Sequence, residues 1–259
     1  MRERPDSAVV VHLSKELGLN ADLATILALR GVATFEEAKD FFRPALAQLH
    51  DPFLMMDMDK AVERIAKAWE NGEKILVYGD YDVDGTTSVA LLYSFLKDKG
   101  EAGFYIPDRY GEGYGLSEKG VRFAKENGYS LIVTLDCGIR AEAMAKLVNE
   151  LEMDLIISDH HLPGENLPQA CAILNPKQKG CEYPYKELCG CGVGFKLAQA
   201  LSIKYDFPLD EVFKHLDILS VAIAADIVDM RGENRILSHF GMELINNHPR
   251  MGIRKMLEQ

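Results

Sequence analysis

From Lys74 onward the chain alternates short apolar runs with longer stretches of helical spacing. The runs cover residues 75–78, 104–106, 131–135, 155–158 and 172–174, and their lengths suit strands. Between them, residues 87–99, 117–126, 141–151 and 193–205 repeat apolar positions at helical intervals. Strands alternating with helices of this length predict a doubly wound, mainly parallel α/β sheet flanked by helices.

The first seventy or so residues read differently, as helices without strands. Residues 21–30 are apolar at helical spacing and stop at Gly31, while Thr34 with Glu37 reads as a capping box for a helix that ends before Pro44. Residues 59–70 place Ala61, Val62, Ile65, Ala66 and Trp69 on one stripe, which Asn71-Gly72 terminates. The expected organisation is a helical N-terminal extension over 1–72 and an α/β catalytic domain over 73–259. Residues from Leu209 onward read as mostly helical, and no repeat or low-complexity segment interrupts the chain.

Composition narrows the class. A chain that is 47% hydrophobic and 27% charged is globular, and 259 residues suffice for one large domain or two modest ones. No apolar run approaches the ~20 residues needed to cross a bilayer, so no membrane partner is expected. The start, Met1 to Asp6, leads into no apolar signal core, and a cytoplasmic location is expected. Five cysteines without a C-x-x-C pair exclude a zinc ribbon and read as buried free thiols. The net charge of −11 opposes nucleic-acid binding, although carboxylates gathered around cations inflate that count and bound cations invert the local field.

The apolar runs deliver polar residues at their carboxyl ends, where open parallel sheets bind ligands. Residues 75–78 lead into Gly79-Asp80-Tyr81-Asp82-Val83-Asp84-Gly85-Thr86, residues 131–135 into Asp136-Cys137-Gly138, and residues 155–158 into Asp159-His160-His161. Asp226 follows a fourth apolar stretch. Asp80, Asp82 and Asp84 alternate, and an extended backbone would point all three the same way. Carboxylates crowded with imidazole suit a divalent ion, Mn²⁺ better than Mg²⁺ or Ca²⁺, and a bridging Asp136 could hold two such ions for in-line phosphoryl displacement.

Other readings of residues 80–85 stay beside this one. The segment opens like an EF-hand loop, but Leu91 stands where the twelfth-position Glu is required. Asp82-Val83-Asp84-Gly85-Thr86 matches the nucleophile motif of haloacid-dehalogenase-like phosphatases, yet Gly79-Asp80-Tyr81 intervenes after the strand and Asp159-His160-His161 is left without a role. A solvated acidic turn is the bland alternative. In the Asp159-His160-His161 run, His160 is expected to bind metal and His161, if cationic, to stabilise phosphate charge. The glycine run with Gly192 and Gly194 opens a helix and either cradles a phosphate or serves close packing. Arg109 either holds a phosphate or forms a surface ion pair, and Tyr110 and Tyr114 either stack on bases or simply pack.

Taken together these residues resemble the DHH phosphoesterase superfamily, whose name-giving motif stands here as Asp159-His160-His161. The form Gly79-Asp80-Tyr81-Asp82-Val83-Asp84-Gly85 is similar to that of RecJ-type single-strand-specific exonucleases. So are residues 27–38, Glu112-Gly113-Tyr114-Gly115-Leu116, residues 135–139, 192–198 and 233–237. The resemblance implies two Mn²⁺ ions (Mg²⁺ as a substitute) bridged by Asp136. Asp84, His160 and Asp226 would hold one ion and Asp82 with Asp80 the other, with Asp136 and His161 as catalytic residues. Arg109, His161, Gly192 and Gly194 would contact substrate. It further implies 5′→3′ hydrolysis of single-stranded DNA to mononucleotides in repair and recombination, with a strand channel completed by C-terminal DHH-associated and OB-fold domains. The family's fourth motif usually has Pro where Asp229 stands, so Asp226 is taken as the ligand by register. Hydrolysis of short oligonucleotides or cyclic dinucleotides, and a non-catalytic DHH-like scaffold, are the alternatives.

Overall fold

A computed structural model describes residues 5–258; the first four residues, on which the targeting expectation partly rests, lie outside them. The chain divides into two compact units, one reaching to Leu49 and one beginning at His50.

The first unit contains α1 (Ser7–Leu17), α2 (Ala21–Leu29) and α3 (Phe35–Phe42). Each start is capped by a side chain: Asp6 accepts from the amide of Ala8, Asn20 from that of Leu23, and Thr34 with Glu37 forms the expected capping box. Leu13, Ala24, Leu27, Val32 and Ala38 form its small core. Helix α1 is absent from the sequence reading, because its apolar positions cluster in Ala8–Val11 without a clear stripe.

The second unit opens with α4 (Met58–Glu70), whose buried face of Ala61, Val62, Ile65 and Ala66 is the stripe read from the sequence. There follow β1 (Lys74–Gly79), α5 (Val83–Leu96), β2 (Ala102–Tyr105), α6 (Glu118–Glu126), β3 (Tyr129–Leu135), α7 (Glu142–Glu150), β4 (Asp154–Ser158) and β5 (Ala172–Leu174). Helices α8 (Gly190–Lys204), α9 (Asp210–Phe213), α10 (Leu216–Ala225), α11 (Gly232–Asn247) and α12 (Met251–Leu257) complete it.

The five strands form one sheet in the order β2-β1-β3-β4-β5, and every pair is parallel. Alternation along the strands decides the two faces. Leu76, Tyr78, Ile132, Leu155 and Ile157 pack with Val121 and Ala124 of α6 and Ala145 and Val148 of α7. The alternate residues, Ile75, Val77, Val133, Leu135 and Ile156, are also buried, on the side of α5 and α8. Burial on both faces explains why β1, β3, β4 and β5 read as continuous apolar runs, while the edge strand β2 leaves Phe104 exposed. The doubly wound sheet expected from the sequence is therefore the observed fold.

Register positions the site. Gly79 of β1 pairs with Leu135 of β3, and Leu135 pairs with Ser158 of β4. Asp80, Asp136 and Asp159, each the next residue, therefore stand side by side at the carboxyl edge. The amide of Asp136 donates to Ser158 O (2.9 Å) and that of Asp159 to Leu174 O (2.9 Å), continuing the ladder one step beyond the strands. The chain turns outward in opposite directions from β1 and β3, and this switch point is where open α/β sheets place their ligands.

Candidate metal and phosphoryl-transfer site

Asp80 follows β1 directly and is fully buried; its Oδ1 accepts from the amide of Gly115 (3.1 Å), while Oδ2 is buried without a partner. Asp82 and Asp84 depart from the expected extended alternation. Helix α5 begins at Val83, four residues earlier than its apolar spacing suggested, so Asp82 is its N-cap and accepts from the amide of Gly85 (2.8 Å). Asp84 then lies on the first helical turn, and the three carboxylates are presented from a strand end, a cap and a helix. Gly85 permits this tight entry: a Cβ there would come 2.5 Å from the carbonyl oxygen of Asp80.

Asp84 is held from the far side by α8. Its Oδ2 accepts from the amide of Gly190 (2.6 Å) and its Oδ1 from that of Cys191 (2.8 Å), two N–H groups that open the helix. Of the two readings of this glycine run, the leading amides favour packing, because they are taken by the protein's own carboxylate. Gly192 donates to Cys189 Sγ, and a Cβ at Gly194 would sit 3.0 Å from Leu135, so both are closely packed.

Asp136, almost fully buried, occupies a left-handed backbone conformation (φ 58°) just past β3. Its Oδ1 lies 3.2 Å from His160 Nε2, which is 3.6 Å from Asp226 Oδ2 and 3.8 Å from Asp84 Oδ2. These are approaches without hydrogen-bond geometry: both ring nitrogens of His160 and Asp136 Oδ1 are buried and unpartnered. Burial, then the nearby carboxylates of Asp84 and Asp82, drives Asp136 well above the usual carboxylate range, and burial lowers His160. Asp84, His160 and Asp226 offer ligand atoms within 4.8 Å of one another, as do Asp136, His160 and His161. Converging, orphaned donor atoms of carboxylate and imidazole fit a divalent cation, which would satisfy them and relieve the like-charge repulsion.

Asp226 ends α10 and faces this group, whereas Asp229 turns away to pair with Arg231. Asp159, given no role of its own in the sequence reading, organises the motif. Its Oδ1 accepts from the amides of His160 (2.7 Å) and His161 (3.1 Å) and lies 2.7 Å from His161 Nδ1, while Oδ2 accepts from the amide of Ile139 (2.9 Å). The Asp159 carboxylate raises His161 to about 9. Its Nε2 lies 3.3 Å from Tyr114 Oη, and the side chain is about half exposed.

Arg109 and Tyr110 are exposed in the loop after β2. Arg109 stacks over Tyr81, its guanidinium 5.2 Å from the ring centroid, and Tyr81 meets Tyr114 edge-on. Tyr110 is 95% exposed. Beside His161 a cavity of about 700 Å³ extends toward the start of α7.

A switch-point cluster of carboxylates and imidazole on a doubly wound sheet defines the class, an α/β protein whose converging donor atoms suit divalent cations. The chain belongs to the DHH family, whose N-terminal domain matches residues 74–223. It is 43% identical over 257 residues to the single-stranded-DNA-specific exonuclease RecJ of Bacillus subtilis (strain 168), covering 99% of this chain and 32% of that one. The RecJ of Escherichia coli (strain K12) is 35% identical over 249 residues, covering 91% and 42%. Among solved structures, exonuclease RecJ bound to manganese superposes with a TM-score of 0.73 at 30% identity, over 83% of this chain and 53% of that one. RecJ from Thermus thermophilus in complex with Mn²⁺ gives 0.81 at 26% identity, over 99% and 36%. The chain therefore spans about a third to a half of the length of these relatives. Among the described residues no helix is long and apolar enough to cross a membrane.

Proposed function

We propose that this chain carries the catalytic site of a metal-dependent exonuclease that hydrolyses phosphodiester bonds of single-stranded DNA to mononucleotides, in the 5′→3′ direction, in DNA repair and recombination. The observation that carries the reading is the buried contact of Asp136 Oδ1, after β3, with His160 Nε2, after β4 (3.2 Å), both atoms lacking hydrogen-bond partners. The likeness to exonucleases solved with manganese supports Mn²⁺ as the ion, with Mg²⁺ as a substitute.

Asp84, His160 and Asp226 would hold one ion, Asp82 and Asp80 the other, with Asp136 shared between them. Bound there, the ions would supply Lewis-acid stabilisation of phosphoryl oxygens and a nucleophile at neutral pH. The remaining work belongs to the protein. The amides of Gly190 and Cys191 fix Asp84, and Asp159 fixes the ring of His161 with Nδ1 engaged. The imidazolium then presents Nε2 to the charge that grows on a phosphoryl oxygen in the transition state. Arg109, splayed on Tyr81, takes a neighbouring phosphate.

This catalytic part works with C-terminal DHH-associated and OB-fold domains in a cytoplasmic protein. The charge of −11 then belongs to the half that binds cations, and the basic strand channel is completed elsewhere. The test is hydrolysis of a 5′-labelled single-stranded oligonucleotide with Mn²⁺ by this chain and its Asp136→Ala variant. Labelled mononucleotide from the parent alone supports the reading. Cleavage confined to dinucleotides or cyclic dinucleotides replaces it with a small-substrate phosphodiesterase, and no cleavage of any substrate, either by this chain alone or with the C-terminal domains added back, overturns it.

A further inference from the structure

Glu112 opens the Glu112–Leu116 run singled out in the sequence, and the chemistry proposed above gives it no part. It lies within the twelve residues, 106–117, that join β2 to α6 without helix or strand. Loops of that length inside a compact domain are uncommon and are usually functional. This one carries Arg109 at an exposed apex. A cation–π contact at an exposed ring is weak against the entropy of ordering such a loop, so the stack on Tyr81 does not by itself hold Arg109.

The loop is closed from within. The Glu112 amide donates to Asp108 O (2.9 Å), and the Asp108 amide donates back to Glu112 Oε1 (3.0 Å), so Arg109 sits in a turn bonded on both sides. Inside it, Asp108 Oδ1 accepts from the amides of Tyr110 (3.1 Å) and Gly111 (2.6 Å). The Glu112 carboxylate also reaches both flanking elements. Tyr105 Oη, at the end of β2, donates to it (2.9 Å to Oε2), and Ser117 Oγ, from the N-cap of α6, donates to Oε2 (2.6 Å). Lys119 Nζ stands 3.4 Å from Oε1, and only 4% of the Glu112 side chain is exposed. Burial pushes the Glu112 carboxyl up, but the bonds from Ser117, Asp108 and Tyr105 outweigh it and hold it below its ordinary range. A glutamate that merely solvated the loop would be exposed and unbonded.

We propose that Glu112 is a positioning residue, the knot that fixes the Asp108–Glu112 turn and so holds Arg109 ready for a phosphate of the strand. The inference rests on the reading of Arg109 as a phosphate contact, and it adds what keeps that arginine in place. Ordering the loop in advance lowers the cost of binding and leaves the chemical step alone, so Glu112 acts on KM and not on kcat.

The experiment compares the parent with Glu112→Ala, Glu112→Gln, Arg109→Ala and the double variant Arg109→Ala/Glu112→Ala, with the C-terminal domains added back if the chain alone is inactive. Hydrolysis of a single-stranded oligonucleotide with Mn²⁺ gives kcat and KM, and fluorescence anisotropy with a chelator present gives binding. Trypsin cleavage after Arg109 reports the loop without reference to activity. Glu112→Ala is expected to raise KM about tenfold with kcat within about twofold, and trypsin to cut after Arg109 about tenfold faster. Glu112→Gln keeps an acceptor for Asp108 and offers a donor that the two hydroxyls accept, so its KM stays within about threefold of the parent's. In the Arg109→Ala background Glu112→Ala raises KM no further, because the residue it positions is gone. An unchanged KM, an increase undiminished in that background, or a Glu112→Gln variant as impaired as Glu112→Ala overturns the proposal. Binding weakened by Glu112→Ala only while Arg109 is present, with no hydrolysis by the parent, upholds the role of Glu112 and overturns the exonuclease reading. A parent that neither binds nor hydrolyses the oligonucleotide overturns both.

Discussion

Gly190 stands directly against Asp136: a Cβ at position 190 would lie 2.5 Å from the Asp136 Cβ and 2.6 Å from its Oδ1. Such separations are far inside van der Waals contact, and Asp136 has nowhere to retreat because its backbone is tied to β4. Gly190→Ala is therefore expected to lower hydrolysis by about 100-fold, the scale on which small displacements of catalytic groups cost rate. Far-ultraviolet circular dichroism would show the helices retained, since α8 accepts alanine elsewhere. Near-parental activity would mean that Asp136 has more freedom than its surroundings indicate.

Asp159 bonds to three groups of the two histidines and to the amide of Ile139. Groups that orient ligands in this way typically matter about 10–100-fold in metal affinity or activity. Asp159→Asn is expected to lose that much of both, measured by calorimetric Mn²⁺ titration and by oligonucleotide hydrolysis. A variant with parental affinity and rate would leave Asp159 a packing role only.

Lys196 and Glu233 form an ion pair at 2.7 Å with 0% and 1% of their side chains exposed. Glu233 also accepts from Tyr183 Oη (2.6 Å) and the amide of His50 (3.0 Å), and Lys196 donates to His50 O (2.9 Å). Removing one partner strands a buried charge, so Lys196→Met is expected to cost about 3–5 kcal/mol in urea unfolding. Adding Glu233→Leu should recover part of that loss, since two apolar side chains leave no unpaired charge. A single variant within about 1 kcal/mol of the parent would contradict this account.

His215 is buried beside Arg250, whose Nη2 lies 3.3 Å from its Nδ1. Burial, then the charges of Arg250 and Lys214, lowers its pKa to about 4, while Asp217 acts weakly in the opposite sense. The folded pKa lies below the unfolded value of about 6.5, so the unfolded chain takes up the proton first. The stability tied to neutral His215 is complete above that value and is lost as pH falls toward about 4. Thermal melting from pH 7 to 4 should show the parent's curve falling more steeply than that of His215→Asn. Parallel curves would mean that His215 titrates alike in both states.

The five strands and the order of chemistry along the chain were legible because both leave short-range marks. A doubly buried strand must be continuously apolar, and a residue just past it must lie at the sheet edge. Asp80, Asp136 and Asp159-His160-His161 could be placed on that ground alone. The geometry of Asp82 and Asp84 is not legible in the same way, because the polar Val83–Thr87 turn has no apolar stripe to mark a helix that starts at the Asp82 N-cap. The amides of Gly190 and Cys191 are 106 and 107 residues from Asp84, and Lys196 is 37 from Glu233. Partnerships of that span have no period, and a lysine inside a glycine-led helix reads as solvated until the fold surrounds it.

The one-step continuation of the ladder into Asp136 and Asp159 has a kinetic consequence. Surface loops open locally many times for each global unfolding event, but a backbone amide bonded to a central parallel strand is released only with that strand. Asp136, bonded to β4, therefore shares the lifetime of the sheet, whereas Asp159 is bonded to the short edge strand β5. Deuterium uptake at the amide of Asp136 should be as slow as at Val133, that of Asp159 faster, and the Arg109–Tyr110 loop should exchange first. On warming, the Asp136 contribution to the centre is abolished in a single cooperative event, without gradual loosening beforehand.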